Sequence, residues 1–135
     1  MIQSHIGHLL FNINPQNMGF YKDLLTFMGW AVWVDDPAML GVGDSQGASL
    51  WFGGPAKAAA NDYDGPGMNH LGLSVAAQAD VDAVVAWLGE RGVPALFETP
   101  RHRPDFSSPG STYYQVMFET PDRILVEVVY TGPVQ

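Results

Sequence analysis

The sequence predicts an α+β fold of two tandem βαβββ modules, with mixed sheets forming a cup-shaped, half-open barrel. A motif that occurs twice is the first observation. Residues 6–13 read Ile-Gly-His-Leu-Leu-Phe-Asn-Ile and residues 68–75 read Met-Asn-His-Leu-Gly-Leu-Ser-Val. The second is that each copy is followed by a helical stretch and then by three short strand-like runs. The third is composition: 47% apolar and 15% charged residues over 135 positions describe one compact domain with a real core.

The elements follow in order. After the first motif strand, Asn14-Pro15 reads as an N-cap with proline in the first turn, opening a helix that runs to about Met28. Gly29 then ends it from a C′ position. Strands are expected at about 31–35, 40–43 and 48–52, separated by Asp36-Pro37 and Asp44-Ser45-Gln46-Gly47. A linker rich in Ala, Gly and Asn, at about 54–67, joins module 1–53 to module 68–135. In the second module a helix over about 78–91 places Val81, Val84, Val85 and Leu88 on one face, and Gly92 closes it. Strands are expected at about 95–98, 112–119 and 124–130, the last two joined by the turn Thr120-Pro121-Asp122-Arg123. A long loop, 99–111, carries three prolines.

A βαβββ sheet is covered by helix on one side, so its other face is either solvated or turned toward the second module to enclose a cavity. Strand alternation says which residues stand there. Leu9, Phe11 and Ile13 form a helix-packed face, leaving His8, Leu10 and Asn12 opposite. Leu71, Leu73 and Val75 leave His70, Gly72 and Ser74 opposite. Val126, Val128 and Tyr130 share one face of the last strand; Leu125, Glu127 and Val129 share the other. His8, His70 and Glu127 therefore all fall on the side away from the helices.

Composition excludes several classes. Without cysteine there is no disulfide, no thiolate nucleophile and no sulfur-ligated metal. A formal charge of −8 repels phosphate backbones and anionic lipid, so neither nucleic acid nor membrane is an expected partner. No apolar run approaches the roughly 18–20 residues of a bilayer span, and Met1 to His5 lacks the basic start of a signal peptide, so a cytoplasmic location is expected.

With these residues in view, the chain resembles the vicinal oxygen chelate superfamily of glyoxalase I, bleomycin- and fosfomycin-resistance proteins and extradiol dioxygenases. The resemblance covers nearly the whole length. It is carried by His8-Leu-Leu-Phe-Asn-Ile, Phe20-Tyr21-Lys22-Asp23-Leu24-Leu25, Gly29-Trp30, Asn69-His70-Leu-Gly-Leu-Ser-Val and Pro100-Arg101. The run from Tyr114 to Asp122, leading to Leu125-Val-Glu127-Val-Val, completes it. The order and spacing of these pieces are what is specific.

In metal-dependent members the ligands come from the first and last strands of each half. The resemblance thus implies His8, His70 and Glu127 as ligands of one divalent ion, Fe, Mn, Zn or Ni. The fourth position falls at about Trp51, which cannot ligate. A two-His, one-carboxylate set leaves coordination positions open for substrate, as a catalytic site requires. Glu127 is expected as ligand or as base. The turn Thr120-Pro121-Asp122-Arg123 departs from the family's Asp-Pro-Asp-Gly, yet its central Pro and Asp still suit a type I turn.

Other candidates are weaker. Gly43-Asp-Ser45-Gln-Gly47 matches the G-x-S-x-G pattern of serine hydrolases but is followed by a strand, so a hairpin is expected. Arg101-His102-Arg103 suggests either a solvated loop or a lid, with Arg101 contacting an anionic substrate and His102 as acid, base or extra ligand. Trp51, Tyr113 and Met117 are expected to contact substrate. The leading expectation is a metal-dependent lyase, isomerase or dioxygenase acting on a small substrate with vicinal oxygens. The alternatives are a metal-free, bleomycin-resistance-like protein that sequesters an aromatic or cationic ligand, and an interaction module without a ligand. Open sheet edges and the family habit of pairing make a homodimer the expected state in each case.

Overall fold

The structure is a computed structural model, and it describes residues 1–54 and 57–135. The chain divides into two compact units, Met1–Ala60 and Asn61–Gln135. Each holds one four-stranded mixed sheet and one helix, so the two-module α+β reading stands.

In the first unit, β1 (His8–Asn12) leads through a 3-10 turn, Pro15–Asn17, into α1 (Met18–Phe27). β2 (Ala31–Asp36), β3 (Met39–Gly43) and β4 (Ser49–Gly53) follow. Asn14 caps the 3-10 turn, its Oδ1 accepting from the Gln16 amide at 3.1 Å. The α-helix therefore starts later than Asn14-Pro15 suggested, one tight turn downstream. The strand order is β1-β4-β3-β2, with β1 parallel to β4. Tyr21 of α1 stacks on Phe52 at 4.5 Å, and Phe52 stacks on Phe11 at 5.2 Å. That pile fixes the helix-covered face of the sheet, and His8 and Leu10 alternate onto the open one.

Asp44 to Gly47 form the β3–β4 hairpin, where Asp44 Oδ1 accepts from the amides of Gln46 at 2.8 Å and Ala48 at 2.9 Å. The G-x-S-x-G match is thus a turn between strands, as expected, and not a nucleophile elbow.

In the second unit, β5 (Leu71–Ser74) precedes α2 (Gln78–Glu90). β6 (Arg101–His102), β7 (Ser111–Glu119) and β8 (Leu125–Pro133) complete the sheet in the order β5-β8-β7-β6. Val81, Val84, Trp87 and Leu88 are buried on α2. Gly92 at φ 68° ends the helix, with the Val93 amide donating to Leu88 O at 3.0 Å. The register pairs Val116 with Val128 and Phe118 with Val126, all buried, on the helix side. Met117 pairs with Glu127 on the other side.

Two expectations need correcting. The strand expected over 95–98 is absent; Phe97 and Glu98 have φ 56° and 59°, values that no strand accommodates. Its place as edge strand is taken by β6, inside what was read as a loop. Residues 61–67, expected as linker, pack on the second unit. Tyr63 is buried there, and Asn61 Nδ2 donates to Arg123 O at 3.0 Å. The hairpin at Thr120 survives without glycine: Arg123 takes φ 58°, and its amide donates to Thr120 O at 2.9 Å. Among the described residues no helix is long and apolar enough to cross a membrane.

Candidate functional site

The open face of the second sheet carries a cavity of about 690 Å³. Alternation builds its floor: Tyr113, Gln115 and Met117 from β7, with Leu125 and Glu127 from β8. His70, just before β5, and its neighbour Asn69 form one flank. Phe97, Arg103 and Phe106 form another, with Tyr63 and Asp64 closing the lining.

Glu127 is only 6% exposed, and a carboxylate at that depth needs partners. It has two. The Tyr113 hydroxyl donates to Oε1 at 2.7 Å, and Gln115 Nε2 donates to Oε2 at 2.8 Å. Gln115 is itself buried, and its Oε1 faces Arg103 Nη1 at 3.5 Å, which fixes which way the amide points. Burial, and then the bond to Glu127, push the Tyr113 phenol up to about 12, with Arg103 pulling the other way. At neutral pH Tyr113 is therefore a proton donor. Arg103 is clamped by Asp105, through Nε at 3.1 Å and Nη2 at 2.8 Å, and that guanidinium holds the Asp105 carboxyl below its ordinary range.

His70 is oriented by Asn69. The Asn69 Nδ2 donates to Tyr63 O at 3.0 Å, so its Oδ1 accepts from His70 Nδ1 at 2.8 Å. A neutral imidazole held this way carries its proton on Nδ1 and keeps the Nε2 lone pair free.

Of the residues read from the sequence, His70, Tyr113, Met117 and Glu127 line one cavity. Arg101 and His102 are not among its lining residues. Arg101 pairs with Glu98 at 3.5 Å, and His102 Nδ1 is engaged by the Thr112 hydroxyl. His8 and Trp51 belong to the first unit. The register aligns Leu10 with Trp51 and Gly72 with Glu127, two residues past His8 and His70 respectively. Trp51 is thus the repeat counterpart of Glu127. Its indole lies flat on the strand beside it, where a Cβ on Gly41 would stand 2.4 Å from the ring.

Sequence reasoning left Asn69 and Gln115 without roles, and gave Arg103 only a share in the lid reading of Arg101-His102-Arg103. Gln115 had a signal, since it lies between Tyr113 and Met117 at a spacing of two. Asn69 had none beyond adjacency to His70, and Arg103 only its place in a basic loop.

The donor chemistry of His70 and Glu127 suits a divalent ion: an imidazole with a free Nε2, and a carboxylate with two of its four lone-pair sites in use. Among the described residues, no group of three or more His, Asp or Glu side chains is drawn together to hold one.

Fold and cavity together define the class: a paired βαβββ protein with a small-molecule-sized hollow on the open face of its second sheet. Solved structures share this fold. A glyoxalase-like protein from Bacillus halodurans shares 25% identity at a TM-score of 0.80, over 95% of this chain and 96% of that one. A glyoxalase/bleomycin resistance protein from Albidiferax ferrireducens T118 shares 18% identity at 0.74, over 94% and 99%. A glyoxalase/dioxygenase from Nostoc punctiforme shares 17% at 0.70, over 95% and 91%. The chain has the fold of the vicinal oxygen chelate superfamily. No protein-family model and no curated protein sequence matches it.

Proposed function

We propose that the chain is a divalent-metal-dependent enzyme acting on a small substrate with vicinal oxygens, by lyase, isomerase or dioxygenase chemistry, in the cavity of the second unit. The observation that carries this reading is a buried, doubly hydrogen-bonded Glu127 and a His70 with its Nδ1 held by Asn69, both lining one cavity. His70 and Glu127 would hold the ion. When bound, the ion supplies Lewis-acid stabilisation of charge on a substrate oxygen.

The chain's own residues do the rest. Gln115 and Tyr113 fix the Glu127 carboxylate, whose remaining lone pairs can hold the ion or take a proton from bound substrate. Tyr113 keeps its proton at neutral pH, and that proton stays on the bond that holds Glu127 Oε1. Tyr63, Phe97 and Phe106 give the cavity apolar surface against which substrate can pack. The working state we propose is a cytoplasmic homodimer.

Calorimetric titration of metal-free protein with Fe(II), Mn(II), Zn(II) and Ni(II) tests the reading. One ion per chain is expected for at least one metal, with affinity reduced by about tenfold or more in His70→Ala and in Glu127→Gln. Wild-type protein that binds none of the four rejects it.

A second reading, metal-free sequestration of an aromatic or cationic ligand, is favoured by one observation: both Glu127 oxygens already have donors from the chain itself. It predicts that ligand binding persists unchanged in chelator-treated His70→Ala protein.

A further inference from the structure

Phe97 and Glu98 occupy a conformation that neither side chain favours. Both have left-handed φ, 56° and 59°, and the Thr99 amide donates back to Leu96 O at 3.0 Å. This is a two-residue turn with positive φ at both central positions, where asparagine and glycine are the ordinary occupants. A Cβ at such a position is crowded by the backbone, most severely with a bulky group beyond it.

Phe97 does not hold the turn in place. The Leu96 amide donates to Met117 O at 2.8 Å, and the Met117 amide donates to Thr99 Oγ1 at 2.9 Å, so both ends are fastened to β7 by backbone and threonine. Nor is the ring part of the core. It is 52% exposed, yet it lines the cavity that holds Glu127 and His70. Phe106, in the same lining, is 58% exposed; it packs edge-to-face with Tyr113 at 5.4 Å and takes the Arg103 guanidinium over its face at 4.4 Å. Two large apolar rings are thus left uncovered on one cavity, one of them in a turn that disfavours it. A strained, exposed aromatic contributes little to the folded chain, and strain of this kind collects where ligands are held.

We infer that Phe97 is a specificity-determining residue. The turn presents its ring, together with Phe106, to the face of a planar aromatic ligand whose polar end reaches Glu127 and Tyr113. This rests on the second-unit cavity being the working site. Stacking on two rings selects a flat aromatic group over a saturated one of the same size, because offset and edge-on ring contacts add to the area buried.

The test uses the full chain and two probes, 2-naphthol and its saturated counterpart decahydro-2-naphthol, with affinities read by calorimetry. Wild type is expected to prefer 2-naphthol. Phe97→Asn is expected to lose about tenfold in 2-naphthol affinity while its Tm rises by a few degrees (~2–6 °C). Phe97→Leu, which keeps apolar bulk, is expected to lose the preference between the probes. The inference is overturned if wild type binds no 2-naphthol, if Phe97→Asn binds it as tightly as wild type, or if Phe97→Asn lowers Tm. A change in sedimentation on replacing Phe97 overturns it too, by showing the ring seated on a second copy. Metal titration of Phe97→Asn separates this inference from the proposed function. A wild type that binds 2-naphthol through Phe97 but takes up no metal supports the clamp and removes the metal-dependent reading.

Discussion

Replacing Gln115 with leucine isolates what holds the buried carboxylate. Gln115 is 1% exposed and Glu127 is 6% exposed, so neither regains water when the partner is lost. The substitution removes the 2.8 Å bond from Gln115 Nε2 and leaves Glu127 with Tyr113 alone. A hydrogen bond to a charged group contributes about 1.5–3 kcal/mol, and leucine returns part of this as buried apolar surface. A net loss of about 2 kcal/mol is expected, or roughly 6–10 °C in Tm for a chain of this length. The assay is urea unfolding followed by circular dichroism, run as a double-mutant cycle with Glu127→Leu. In that background the carboxylate is gone, and Gln115→Leu should cost well under 1 kcal/mol, about 0.5. The coupling between the two sites is therefore expected at about 1.5 kcal/mol or more. Costs that add to within about 0.5 kcal/mol would refute the claim that Gln115 supports Glu127.

Alkaline stability follows from two phenols. Tyr113 is pushed up to about 12 by burial and then by Glu127; Tyr114 reaches about 12 by burial and then by its bond to Asp82. Above about pH 10 the unfolded chain gives up these protons while the folded chain keeps them, so stability falls as pH rises from about 10 toward 12. Ultraviolet titration should show late phenolates, one lost in Tyr113→Phe and another in Tyr114→Phe, while Tyr63, raised by its bond to Glu119, also titrates above its ordinary range. Five phenols all titrating together near pH 10 would contradict this. In the first unit, Gly41→Ala places a Cβ 2.4 Å from the Trp51 ring, so the indole must leave its strand. A loss of about 1–3 kcal/mol and a shifted tryptophan emission are expected; unchanged emission and stability would show that the ring does not lie there.

Period-two alternation made much of this legible. It put Tyr113, Met117 and Glu127 on one sheet face because β7 and β8 are regular antiparallel strands without a bulge, and Gln115 was readable by the same rule. The repeat register was equally legible: overlaying the two halves put Trp51 on Glu127, as the parallel pairings do. What failed was backbone conformation that side chains do not announce. Phe97 and Glu98 look like strand residues, and only their left-handed φ makes them a turn. That turn moved the edge strand to Arg101 and His102 and left Arg103, two residues further on, lining the cavity. The stretch before the second motif misled for a related reason. Its Gly- and Asn-rich composition reads as linker, while Tyr63 buries its ring and bonds Glu119 through its hydroxyl, a long-range contact with no local pattern.

Anomalous diffraction from crystals grown with Mn(II) is the most direct measurement. A single strong peak is predicted within about 2.0–2.3 Å of His70 Nε2 and a Glu127 oxygen, with the Asn69–His70 contact retained. A manganese peak bound elsewhere, with neither of those side chains against it, would contradict the site.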